Sequence, residues 1–130
     1  MKKIQFILAT AVFFFFINIS GMSAQEFMKT DAKIIKVLAD TTYMTAMEVT
    51  FPPGYTTSLH THAAQFIYAL TDGTLSVAYA DGPTVEFKLK AGDAMGTPPD
   101  GPHMTTNVGK KTVKFILVEM KEHPYKAMMN

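Results

Sequence analysis

Three features of the sequence predict an all-β domain, a sandwich or a barrel. Short apolar runs recur along the chain, the best of them alternating apolar and polar residues. Turn-forming dipeptides separate these runs. No helical repeat of useful length follows the N-terminal segment. At 130 residues the chain suits one domain.

Its first residues are predicted to be a targeting segment, not part of the fold. A short positive start, "MKK", precedes the apolar run Ile4–Ile19 and the small residues of "SGMSAQ". That order reads as a secretory signal peptide over residues 1–24, cut after Ala24. An uncleaved anchor is the rival reading, but the run is short for a membrane span and no stop-transfer pattern follows. With no cysteine there is no lipid-anchor motif at the cut. The expected compartment is the periplasm or the outside of the cell, with no stable membrane anchor after cleavage.

The strands are expected in order from residue 32. "AKIIKVLA" opens the domain, and "TYMTAMEVTF" stops at Pro52–Pro53–Gly54. "TTSLHTH" follows. "QFIYALT" runs to Asp72–Gly73 and "TLSVAYA" to Asp81–Gly82–Pro83. Asp-Gly between apolar runs is a hairpin signal. "TVEFKLK" alternates cleanly, with Val85, Phe87 and Leu89 on one face. "AGD" at 91–93 is another turn. "HMTTNV" and "TVKFILVEMK" close the domain, whose expected limits are residues 32–121. Residues 25–31 and the tail 122–130 are expected to fray.

Composition removes several functions. The chain has no cysteine, so disulfides, thiolate metal sites and cysteine nucleophiles are excluded. Net charge is +1, and it becomes −1 after signal cleavage, with ten lysines against eleven acids. No nucleic-acid-binding field is expected. No glycine-rich phosphate loop or serine–base pattern is present.

What remains is histidine chemistry. His60 and His62 are two residues apart, which on a strand places both rings on one face. Two imidazoles so placed are half of a metal site, or a polar pair on an exposed edge. His103 follows the rigid turn "GTPPDGP", which can aim one side chain, or it caps backbone groups there. His123 lies in the lysine-rich tail and is expected in solvent.

Two spaced motifs decide between these readings. The first runs Gly54, His60, His62, Gln65, Gly73; the second runs Gly92, Pro98, Gly101, His103, Asn107. In order and spacing they resemble the paired motifs of the cupin superfamily, over about residues 44–121. The resemblance implies a single jelly-roll β-barrel holding one divalent metal ion (Fe, Zn, Ni, Cu or Mn), with His60, His62 and His103 as its ligands. It also implies pairing into a homodimer. The carboxylate usual in the first motif is missing, and its slot falls on Gln65 or Phe66. Gln65 is then a weak oxygen ligand, a hydrogen-bonding support for the ligands, or a solvent-facing strand residue. A degenerate barrel without metal is the remaining alternative.

Phe66, Tyr68, Met95 and Met104 are expected to line the pocket, unless the methionines are core filler. Two functions fit. One is an exported metalloenzyme, dioxygenase- or isomerase-like, acting on a small oxygen-bearing organic molecule. The other is a module that binds a metal or small ligand without chemistry, favoured by the missing carboxylate and by the lack of an evident acid or base near the histidines.

Overall fold

The computed structural model describes residues 24–128, with side chains from Phe27 onward. The predicted signal peptide lies outside the described residues, apart from Ala24. The chain opens with the short helix α1 (Ala24–Thr30) and a 3-10 turn at Ala32–Ile34. Among the described residues nine strands follow: β1 (Ile35–Asp40), β2 (Met44–Phe51), β3 (His60–His62), β4 (Gln65–Ala69), β5 (Gly73–Tyr79), β6 (Thr84–Leu89), β7 (Ala94–Thr97), β8 (Asp100–Asn107) and β9 (Val113–Met120).

They form two antiparallel sheets, ordered β1-β2-β9-β4-β7 and β3-β8-β5-β6. This is a jelly roll: two sheets packed face to face over one core, with no hydrogen-bonded closure between them among the described strands. Period-2 alternation decides which residues meet inside. Met47, Val49 and Phe51 of β2 and Val113, Phe115 and Leu117 of β9 are buried, while their neighbours face outward. Leu75 and Leu89 close the core from the other sheet.

Gly73 starts β5 because a side chain there has no room. A Cβ would lie 2.2 Å from Cγ2 of the buried Val113. Gly54 and Gly92 have φ of 76° and 93°, the left-handed region that turns of this kind need.

Two expectations need correction. The sequence assigns no strand to Ala94–Thr97, yet it pairs with Gln65–Tyr68 of β4. Its residues have little strand preference of their own, so the neighbouring strand imposes the conformation. Residues 25–31 do not fray. Phe27 is 2 % exposed and belongs to the core, and α1 packs against β3. The buried carboxylate of Asp31 fixes the segment's end: Tyr55 O–H donates to it at 2.6 Å and the Ser58 N–H at 3.2 Å.

Candidate metal centre

β3 is a three-residue edge strand beside β8. His60 pairs with His103, and His62 pairs with Asp100. The one residue between the histidines of β3 therefore faces two residues on β8, a bulge. The bulge swings His103 toward the two histidines of β3, as the Pro/Gly turn suggested it would be aimed.

All three rings are buried. One nitrogen from each lies within 4.8 Å of the others, and Nε2 of His60 is 3.0 Å from Nε2 of His62. The opposite nitrogens are all anchored. His60 Nδ1–H donates to the Ser58 carbonyl at 2.7 Å, and His103 Nδ1–H donates to the Gly101 carbonyl at 2.7 Å. A carbonyl only accepts, so both rings carry a proton on Nδ1, which leaves Nε2 as the nitrogen available to a metal. His62 Nδ1 meets the Glu119 carboxyl. This pattern, one ring nitrogen turned inward and the other held outward, is how imidazoles are oriented around a metal. The donor set fits one divalent ion with open positions for further ligands.

Burial sets the charge state. It pushes His60 and His62 down to about 3, helped in each case by a neighbouring imidazole, so both are neutral near pH 7. Phe27 stacks on the His60 ring at 4.3 Å and meets His62 edge-on at 5.4 Å, which keeps water off this side.

Glu119 escaped the sequence reading. It is 2 % exposed, and burial pushes its carboxyl up to about 8. Its signal was present: in "VKFILVEM" the inward positions are Val113, Phe115, Leu117 and then Glu119. An acid at a core position of an alternating strand needs a partner, and here the partner is His62. The site therefore has a carboxyl group after all, bound to a histidine and delivered from β9.

An open cavity of about 320 Å³ leads to the histidines, lined largely by apolar side chains such as Phe51, Leu75, Phe87 and Leu117. Its polar lining includes Gln65, Thr97, Asp100 and Tyr79. Tyr79 O–H donates to Asp100 Oδ2 at 3.2 Å, and the same oxygen lies 3.7 Å from His103 Nδ1. An acid does face the site, contrary to expectation.

The other sequence-derived residues divide. Gln65 is 7 % exposed and faces the cavity, so it is not a solvent-facing strand residue. Met95 lines the cavity as expected. Phe66, Tyr68 and Met104 do not: they are 40 %, 41 % and 41 % exposed and point away. β4 is apolar on both faces, so apolarity alone chose the wrong parity; Gln65, Ile67 and Ala69 are its inward residues. His123 is exposed on the tail, as expected.

The cupin-domain family model matches residues 47–119, more than half of the chain, and the chain belongs to that family. Among solved structures, a cupin domain from Bordetella pertussis is 27 % identical, with a TM-score of 0.62 over 68 % of this chain and 92 % of that one. An RmlC-like cupin with a double-stranded β-helix fold from Methanocaldococcus jannaschii is 15 % identical, with a TM-score of 0.56 over 67 % and 78 % of the two chains. A Klebsiella pneumoniae protein with a double-stranded β-helix domain is 22 % identical, with a TM-score of 0.55 over 67 % and 75 %. The last two show the fold alone. No curated protein matches the chain.

Proposed function

We propose that this protein is an exported metalloenzyme, dioxygenase- or isomerase-like, that acts on a small and mainly apolar organic molecule bearing an oxygen donor. The observation that carries the reading is the gathering of three buried imidazole nitrogens within 4.8 Å of one another in the wall of a largely apolar cavity. Bound there, a divalent metal supplies a Lewis-acid or redox centre for an oxygen ligand. The chain's own groups do the rest. Apolar walls orient the organic body and exclude water. The Asp100–Tyr79 pair beside His103 can take or return a proton at the Asp100 carboxylate.

Export rests on the signal-like N-terminus, and cleavage after Ala24 would leave Phe27 near the new end of the chain. Pairing of two copies is supported by the outer face of the five-stranded sheet, where Phe66 lies beside Val118 and Tyr68 beside Ile116.

Elemental analysis of untagged protein tests the metal reading. Near-stoichiometric iron, zinc, nickel, copper or manganese is expected in the wild type and is lost from a His60→Ala/His103→Ala variant. Folded wild-type protein that takes up none of these metals overturns it. Oxygen-uptake and isomerisation screens on the loaded protein then separate an enzyme from a module that binds without chemistry. That second reading is favoured by the amide Gln65, which cannot act as a base, at a slot where the family motif carries its carboxylate.

A further inference from the structure

Two polar atoms in the cavity wall have no hydrogen-bond partner among the described residues. Gln65 Oε1 and Thr97 Oγ1 are both buried and both unbonded. The residues are direct cross-strand partners on β4 and β7, and both line the cavity. They nevertheless do not bond each other. An unpaired buried polar atom costs about 1–3 kcal/mol, so two adjacent ones mark a place where something polar belongs.

Their chemistry is complementary. An amide oxygen only accepts. A threonine hydroxyl can donate. Together they suit a ligand that offers one proton and one negatively charged oxygen. The metal reading makes the same demand from the other side. Three neutral histidines leave a divalent ion its full charge, which favours an anionic oxygen. A neutral hydroxyl chelating next to that oxygen keeps its proton, and in a dry cavity this proton needs an acceptor. Gln65 offers one without adding a negative charge that would repel the anion.

We infer that Gln65 and Thr97 form the recognition site for an oxyanion carrying an adjacent hydroxyl group on an apolar body, the hydroxyl donating to Gln65 Oε1 and Thr97 Oγ1 donating to the oxyanion. α-Hydroxy acids and catechol-like monoanions share this chemistry. The inference rests on the metal reading above, and its test separates the two.

Zinc affinity of the full-length mature protein is measured first by competition with a chromophoric chelator. Calorimetry on the zinc-loaded protein then compares mandelate with O-methylmandelate, which keeps the carboxylate and the ring but lacks the hydroxyl proton. Wild type is expected to prefer mandelate about tenfold, the worth of a buried hydrogen bond to an otherwise orphaned acceptor. Gln65→Leu should abolish the preference with zinc affinity unchanged, and Thr97→Val should weaken both ligands. Asp100→Asn should keep the preference. Equal binding of both compounds by zinc-loaded wild type overturns this inference alone. A tenfold loss of zinc affinity in Gln65→Leu makes Gln65 a metal ligand and overturns it too, as does a preference that disappears in Asp100→Asn. Wild type that takes up no zinc overturns the metal reading and this inference with it.

Discussion

Gln65 and Glu119 stand opposite each other on adjacent strands, β4 and β9, and only Glu119 holds a histidine. Gln65 occupies one of the two positions where the family motif would put its carboxylate. The acid of this site comes from the next strand instead and acts on His62 from behind. The metal then faces three neutral donors, while the negative charge sits on the far side of one of them. Such an arrangement keeps the coordination sphere open and fixes the tautomer of one ligand.

Glu119→Leu is expected to lower zinc affinity about 10- to 100-fold, because His62 loses the group that orients it. Glu119→Gln keeps a hydrogen-bonding partner of the same shape and should lose less. Titration of both variants against a competing chelator checks this ordering. Equal affinity of all three proteins would mean that the pair is only structural.

Much of this is legible in the sequence. The alternation in β2 and β6 and the Asp-Gly turns point to the class of fold, and the resemblance of the two spaced motifs to a known family implies the triad His60, His62 and His103. The misses share a cause. Ala94–Thr97 has little strand preference and takes its shape from β4, while Ala24–Thr30 is made largely of helix formers but is too short to hold a helix without its packing against β3. β4 is apolar on both faces, so Phe66 and Tyr68 looked as suitable for the pocket as Ile67. Glu119 was readable from its parity, but its meaning depends on His62, 57 residues away along the chain. Cross-strand meetings of that kind are set by topology rather than by local pattern.

Phe27 ties the chain's N-terminal segment to the centre. Phe27→Ala removes the ring stacked on His60 and leaves a hole in the core, at a cost of about 3 kcal/mol of stability. The metal-free variant should unfold at markedly lower denaturant concentration with the same slope. An unchanged midpoint would show that α1 is dispensable to the fold.

Stability of the chelator-stripped protein should pass through a maximum near about pH 6.5. His60 and His62 are held near 3 in the fold against a usual 6.5. Between those values the unfolded chain binds more protons, so their contribution is lost as pH falls below 6.5. Glu119 is displaced the other way, to about 8 from 4.5, so the folded chain holds a proton that the unfolded chain has released. Its contribution is lost as pH rises from 4.5 through 8. Two histidines outweigh one acid on the acidic side, and the acid acts alone above neutrality. Thermal melts from pH 4 to 9 check the shape; stability that climbs steadily through pH 8 would contradict the placement of Glu119.

Metal uptake should release a proton from the pair His62–Glu119. The Ser58 carbonyl fixes the His60 proton on Nδ1, so the Nε2 facing His62 carries a lone pair. In the metal-free protein a neutral His62 therefore places its own proton on Nε2, donating to His60. Its Nδ1 is then an acceptor, and Glu119 must be the donor, protonated, as burial makes it near pH 7. A cation held by both Nε2 atoms is incompatible with that proton. On binding, His62 carries its proton on Nδ1 toward an ionised Glu119, and one proton leaves the pair. In Glu119→Gln the ring need only exchange tautomers, and the pair releases none. Calorimetric zinc titration at pH 7 in buffers of different ionisation enthalpy measures this directly. The wild type should release close to one proton more than the variant, a difference that cancels any proton lost by metal-bound water. Equal release by the two proteins would mean that Glu119 is already ionised before the metal arrives.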